Sequence, residues 1–306
     1  MTPRVSVVIP NYNHAPYLKE RIDSVLNQTF QDFELILLDD CSTDNSRDII
    51  NSYAKNPHVS HIILNEENTR NTFVQWERGI RLASGEYIWI AESDDVAEPT
   101  FLATLVGQLE QNPLAVVAYS HSLMIDSNGQ ELPYTWHKKG SSGDIHTFDG
   151  YAFIRQKMLV DSRIYNASMA VFRKSVFQKL PKDYQEHRFC GDWLFWTYVC
   201  QHGQVIEVCQ RLNRFRQHEN KVSVKSMNQG QNWRDNASVI SCIADLVNIT
   251  PLQRRCLRGR WTKRFRGYDG ANRQEIKQEF AAILDGNLLD ICCYEIGKCF
   301  GFLKNQ

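Results

Sequence analysis

Three carboxylates occupy four consecutive positions at Glu92-Ser93-Asp94-Asp95. Carboxylates this close repel one another unless a cation or a dense set of donors lies among them. Oxygen ligands of this kind suit Mg2+ or Mn2+, which take one or two carboxylates and complete their shell with substrate phosphates. An acidic cluster ahead of Pro99 also favours the N-terminus of a following helix, so the spacing alone leaves both readings open. The apolar run EYIWIA directly before the cluster favours metal. Two more polar clusters have the same placement: Pro10-Asn11-Tyr12-Asn13 follows one apolar run and Asp39-Asp40-Cys41-Ser42-Thr43-Asp44 another.

The elements that must position these clusters are short β-branched runs alternating with helical patterns. Strands are expected at Val5–Ile9, Phe33–Leu38, His61–Leu64, Glu86–Ala91 and Leu114–Ser120. Leu18, Ile22, Val25 and Leu26 recur at helical spacing between the first two. Further helices are expected between Asn71 and Ala83 and over Phe101–Leu109. This alternation predicts an α/β fold with a mainly parallel central sheet and helices on both faces. In such sheets ligands sit beyond the carboxyl ends of the strands, where all three polar clusters fall. No GxGxxG or GxxxxGK[ST] follows a strand, against a dinucleotide or P-loop cradle. Residues 122–150 read as loop-rich and positioned over the site. The last 90 residues read as helical, with Glu275–Leu289 the clearest amphipathic segment.

The 306 residues carry 35 Lys+Arg and 35 Asp+Glu. The balance hides a dipole: residues 1–210 hold 18 basic and 26 acidic residues, net −8, while 211–306 hold 17 and 9, net +8. Nine cysteines, an odd number without CxxC spacing, argue against a disulfide framework and for a reducing cytoplasm. The N-terminus lacks the pattern of a secretory signal, and no apolar run approaches the roughly 18 residues of a membrane span.

The stretches VSVVIPNYNHAPYLKERIDSVLNQTFQDFELILLDDCSTDNS, GIRLASGEYIWIAESDD, GDWLFW and RFRQHENKVS, in that order, resemble a family 2 glycosyltransferase of the GT-A fold. The resemblance implies a GT-A catalytic domain over 1–220 and a basic, helical C-terminal region over 221–306. It implies that Pro10, Tyr12 and Asn13 border the nucleotide of a sugar donor, with Tyr12 against the base, and that Asp40 contacts the base or ribose. Asp39 reads alternatively as a cap for the loop containing Ser42. Where the family usually has Asp-x-Asp, Glu92-Ser93-Asp94 stands: Asp94 is the expected metal ligand, Ser93 is expected at the donor, Glu92 reaches the ribose or a metal-bound water, and Asp95 shapes the turn or touches the sugar. Arg70 is expected at the donor.

By the same resemblance His218 is a second metal ligand in an RxH…S pattern ending at Ser223, and Arg216 or Arg214 faces the diphosphate. Asp192, where Gly191 replaces the usual Glu, is the expected general base; it reads also as a helix N-cap. Asn166 and Trp193 are expected on the acceptor side, with core packing the other reading of Trp193. The implied activity is inverting, Mn2+- or Mg2+-dependent transfer from a nucleoside-diphosphate (UDP) sugar to a glycan or polyprenyl-diphosphate-linked acceptor in cell-surface polysaccharide synthesis. A sugar-nucleotide nucleotidyltransferase and an inactive GT-A-like binding subunit are the competing classes.

Seven cations fall between Arg254 and Arg266 with no acid, interleaved with Leu252, Leu257, Trp261 and Phe265. On a helix this reads as a basic amphipathic face for an anionic membrane surface. Peripheral placement at the inner face of the cytoplasmic membrane follows as an expectation, with nucleic acid the weaker partner.

Overall fold

The structure is a computed structural model that describes residues 2–134, 143–218 and 230–299. The chain forms two compact units, each assembled from separate stretches. The first comprises Met1–Phe148, Asn166–Leu180 and His202–His218; the second comprises Asp149–Tyr165, Pro181–Gln201 and Glu219–Gln306. The second unit thus draws two stretches from within the expected 1–220 domain, including the one carrying Asp192.

The first unit is built on one nine-stranded sheet: β1 (Val5–Asn11), β2 (Phe33–Asp39), β3 (Val59–Leu64), β4 (Tyr87–Ile90), β5 (Val96–Ala97), β6 (Ala115–Ile125), β7 (Ile145–Asp149), β8 (Ala170–Arg173) and β9 (Gln204–Arg216). Their order is β3-β2-β1-β4-β8-β6-β9-β5, with β7 also paired to β9. The β1–β2, β1–β4, β2–β3 and β6–β9 ladders are parallel. Those of β4–β8, β6–β8 and β5–β9 are antiparallel. The sheet is therefore mixed but mainly parallel, as expected. Antiparallel pairing enters through short β5 and through β8, a four-residue strand too short to leave a periodic signal, which lies between β4 and β6.

Helices cover both faces. Helix α1 (Ala15–Leu26), started by a proline in its first turn, buries Leu18, Ile22 and Val25. These join Val5, Val7 and Ile9 of β1 and Leu102 and Leu105 of α4 (Phe101–Gln111) in one apolar cluster. Burying each such side chain contributes about 1.5–3 kcal/mol. On the other face, helix α3 (Thr72–Leu82) is capped by Asn71, whose side chain accepts from Phe73 N. It packs so closely on β1 that a Cβ at Gly79 would collide with Val8. A further helix, α2 (Ser46–Ser52), lacks a clear sequence pattern.

The second unit is helical, with Gly191–Cys200, Gln231–Leu246, Pro251–Phe265 and Leu288–Cys299 its longest elements. Thr250 and Gln253 form a capping box at the third of these. The expected Glu275–Leu289 segment is not one helix: it divides into Arg273–Glu279 and Ala281–Leu284, and the next helix begins only at Leu288. Phe280 and then Asp285-Gly286-Asn287 interrupt it.

The basic segment does form a helix, but six of its seven charges are paired. Arg254 pairs with Asp245, Arg255 and Arg258 with Asp290, Arg260 and Arg264 with Asp161, and Lys263 with Glu295. Leu257, Trp261 and Phe265 are buried inside the unit, whereas Leu252 is exposed. Acids distant in sequence therefore neutralise a run that looks uniformly basic when read alone. No helix among the described residues is long and apolar enough to cross a membrane.

Candidate active site and metal centre

Topology explains why the acidic cluster meets the segment Arg214–His218. Glu92–Asp95 turns the chain from β4 into β5, and β5 pairs antiparallel with β9, Val96 opposite Arg214. Moving back from Val96 and forward from Arg214 brings Asp94 and Asp95 beside Arg216 and His218.

The four residues of the cluster are held differently. Glu92 accepts from Trp76 Nε1 at 2.9 Å, and its backbone N donates to Ser168 Oγ at 2.9 Å. Desolvation, reinforced by Asp94 and Asp95, pushes its carboxyl up to about 8. Ser93 is buried, with Oγ 2.8 Å from His14 Nδ1. Asp95 is fully buried and accepts from Arg216 N at 3.0 Å and Asn166 Nδ2 at 2.8 Å. It braces the turn. Asp94 is 8% exposed, and its Oδ2 lies 3.0 Å from His218 Nε2.

A third potential ligand, His14, was not legible in the sequence. It precedes α1 and places its ring 5.5 Å from that of His218, edge to face. One ligand atom from each of His14, Asp94 and His218 lies within 4.8 Å of the other two. His218 Nδ1 is buried with no hydrogen-bond partner among the described residues. A six-coordinate ion with bonds of about 2.1 Å separates neighbouring ligand atoms by about 3 Å. The Asp94–His218 spacing matches that edge, so this trio fits a divalent cation. Two imidazoles with one carboxylate favour Mn2+ over Mg2+, which prefers oxygen throughout.

Two arginines support the cluster from within the protein. Arg216 is 1% exposed; its Nε donates to Asp94 O at 2.7 Å, Nη1 to Asp126 O and Ser127 O, and Nη2 pairs with Glu20 at 2.6 Å. Its guanidinium also lies 4.8 Å above the Tyr17 ring. These contacts make Arg216 a strut beneath Asp94 and Asp95. Arg214 is likewise engaged, with Glu98. Arg21, which has no sequence motif, is fully buried, with its guanidinium 4.8 Å from the Trp89 ring. Desolvation lowers it to about 10, against the pull of Asp95, Asp94 and Glu92. It supplies positive charge under the carboxylates.

On the other side of β1, Pro10 is buried within the strand, while Tyr12 beyond its end is 47% exposed. Asn13 adopts φ 54° and receives Thr43 N at 2.8 Å, tying the β1 and β2 loops together. Asp39 acts as the alternative reading expected: its Oδ2 accepts Ser42 N at 2.9 Å and Arg47 Nε at 3.0 Å. Asp40 accepts from Asn65 Nδ2, Thr69 N, Thr69 Oγ1 and Gln75 Nε2. Its carboxylate thus orders the loop that presents Arg70, which is exposed at φ 59°. Asn166 bridges Asp95 and Asn213 and is buried beneath the cluster.

Asp192 and Trp193 belong to the second unit. Cys190, not Asp192, is the N-cap of Gly191–Cys200. Asp192 lies in the first turn, its Oδ1 accepting Trp193 N at 2.8 Å. Desolvation raises its carboxyl from 3.8 to about 7. The Trp193 ring is 5% exposed, and its Nε1 donates to Met158 O at 2.8 Å, so it packs in the core. Ser223 and the rest of 219–223 lie outside the described residues.

Comparison with known proteins adds independent findings. The sequence model described as Glycosyl transferase family 2 matches residues 6–181. The chain is 36% identical over 129 residues to the glycosyltransferase GlyG of Streptococcus pneumoniae serotype 4, covering 42% of each chain. It is 25% identical over 193 residues to the poly(ribitol-phosphate) beta-N-acetylglucosaminyltransferase TarP of Staphylococcus aureus, covering 62% of this chain and 57% of TarP. The matched portions are thus less than two thirds of either relative. The crystal structure of S. aureus TarS 1–349 in complex with UDP superposes with a TM-score of 0.56 at 18% identity, covering 92% of this chain and 71% of that one. That likeness establishes the GT-A fold.

Proposed function

The chain belongs to glycosyl transferase family 2, and from that premise we propose that it is an inverting, metal-dependent transferase. It moves one sugar from a UDP-sugar to a glycan or polyprenyl-diphosphate-linked acceptor in cell-surface polysaccharide synthesis. The observation that carries this reading is the His14–Asp94–His218 trio at the end of β4, with ligand atoms within 4.8 Å of one another. UDP is favoured as the leaving group because TarS is described with UDP bound and TarP is an N-acetylglucosaminyltransferase.

In this reading His14, Asp94 and His218 hold the ion, Mn2+ before Mg2+, and Ser93 orients the His14 ring through Nδ1. When bound, the ion neutralises charge developing on the departing diphosphate. Exposed Tyr12 offers a face for the base, and the loop organised by Asp40 offers Arg70 to the donor. Asp192 takes the proton of the acceptor hydroxyl; a carboxyl raised to about 7 is a stronger base than an ordinary aspartate and is about half ionised at neutral pH. The 1–220 region supplies the catalytic residues and 221–306 a helical appendage.

The test is UDP release by the purified full chain across a panel of UDP-sugars with Mn2+, followed by mass spectrometry of lipid-diphosphate acceptors. Metal-dependent UDP release and a product heavier by one sugar are expected. Release of pyrophosphate from a nucleoside triphosphate and a sugar phosphate, without UDP release, would instead establish the nucleotidyltransferase class.

A further inference from the structure

A second group of metal-ligating side chains lies away from Asp94, on the seam between β6 and β9. His121, Glu207 and Cys209 are 6%, 8% and 7% exposed, and one ligand atom from each lies within 4.8 Å of the other two. His121 Nε2 is 3.2 Å from Glu207 Oε1. Family assignment gives these residues no task in the proposed reaction.

The backbone explains how they converge. Tyr119 is opposite Glu207 and Ser120 opposite Val208, but His121 is opposite Arg211, so Cys209 and Gln210 form a bulge in β9. In a regular strand, same-face neighbours such as Glu207 and Cys209 stand about 6.6 Å apart along the chain. A bulge bends the strand and redirects side chains. Here it accompanies convergence of Cys209 with Glu207 and His121. The Cys209 backbone is fixed on both sides: its N donates to Asp144 O at 2.8 Å and its O accepts Gly143 N at 3.0 Å. Tyr119, His121, Glu207 and Cys209 also lie on the face opposite Ala118, Ile206 and Val208, which belong to the main apolar cluster.

We propose that His121, Glu207 and Cys209 form a second metal site, one for Zn2+, that fastens β6 to β9 at the bulge. Imidazole, carboxylate and thiolate are all zinc ligands, and a thiolate excludes Mg2+ and disfavours Mn2+. Zinc bonds of about 2.1 Å put tetrahedral ligand atoms about 3.4 Å apart. The His121–Glu207 separation is already close to that edge, and a small rotation of Cys209 completes the triangle. Solvent supplies the fourth position, and the thiol proton leaves to solvent as the metal binds. Both strands continue from this seam to the first site: β6 to Asp126, whose carbonyl accepts from Arg216, and β9 to Arg216 and His218. The clamp thereby sets the registration of β9, which leads into His218, against β6.

Cobalt distinguishes the two sites, because only the second contains sulfur. The full chain, stripped with chelator and kept reduced with a phosphine, is titrated with Co2+ and read by absorption. A near-ultraviolet thiolate-to-cobalt charge-transfer band is expected at stoichiometric metal and is displaced by Zn2+. It persists in Asp94→Asn, which addresses the other site, and disappears in Cys209→Ser, with far-ultraviolet circular dichroism verifying the fold. His121→Gln weakens Co2+ binding at least tenfold and serves if Cys209→Ser does not fold. In the Asp94→Asn background, Zn2+ raises the melting temperature, and adding either of these two substitutions abolishes that rise. Absence of the band in the folded wild type overturns the proposal, as does its survival in folded Cys209→Ser or unchanged binding in His121→Gln. None of these readouts depends on glycosyl transfer.

Discussion

His218 Nε2 lies 3.0 Å from Asp94 Oδ2, across 124 positions of sequence, with the His14 ring edge-on to the same imidazole. Replacing Asp94 by Asn keeps the shape but removes the charge a cation requires. We expect UDP release to fall by on the order of 100-fold or more, and His14→Ala to weaken Mn2+ activation by about 10–100-fold. Isothermal titration with Mn2+ checks both. Undiminished Mn2+ affinity in His14→Ala would remove His14 from the metal shell.

Asp192 predicts a pH signature. A base whose carboxyl is raised to about 7 is protonated below that pH, so turnover should climb through pH 6–8 and level off above. Asp192→Asn should lose about 100- to 10,000-fold in rate and lose this limb. Stability moves oppositely. A folded-state carboxyl raised from 3.8 binds protons that the unfolded chain has released, so wild-type stability declines between about pH 4 and 7. Asp192→Asn escapes that loss and should melt no lower than wild type at pH 8, by differential scanning calorimetry. A much lower melting point would make Asp192 a structural residue.

Arg216 is held as a strut by contacts within the protein. Arg216→Met deletes the bonds to Glu20, Asp126, Ser127 and the Asp94 carbonyl, and should cost about 3–5 kcal/mol in urea unfolding. Arg216→Lys keeps the charge without the planar fork and should recover only part of this. Normal stability with a selective loss of UDP affinity would return Arg216 to the donor.

Pairing of the basic helix bears on membrane docking. Free surface cations contribute about 1 kcal/mol each to binding anionic bilayers, but these face Asp161, Asp245, Asp290 and Glu295. Changing Arg254, Arg258 and Arg264 together to Gln should therefore shift co-sedimentation with phosphatidylserine vesicles by less than about tenfold, against more than about 100-fold for three free charges. The larger shift would restore the membrane-facing role of this helix.

The sequence made the early strands legible because β1, β2 and β4 are buried on both faces and therefore apolar throughout. It made Asp94 and His218 legible through motif and order. His14 was hidden because its significance depends on the distant partner His218, and Arg21 because its helical position is filled by an ordinary charged residue. The pairing of Arg260 with Asp161 was equally invisible, since nothing local links residues about a hundred positions apart. Short β8 and the bulged β9 show the same limit: pairing with distant neighbours, rather than local period, makes them strands.

The position of β9 has a consequence for synthesis on the ribosome. It pairs with β5, β6 and β7, yet it is the last strand of the sheet to be made. Until residue 216 emerges, three earlier strands lack their native neighbour, and the acidic turn lacks both Arg216 and His218. Domains generally fold as units during synthesis, and unpaired edges invite wrong partners. A stalled or truncated chain ending near residue 200 should therefore be a chaperone client rather than a smaller working enzyme.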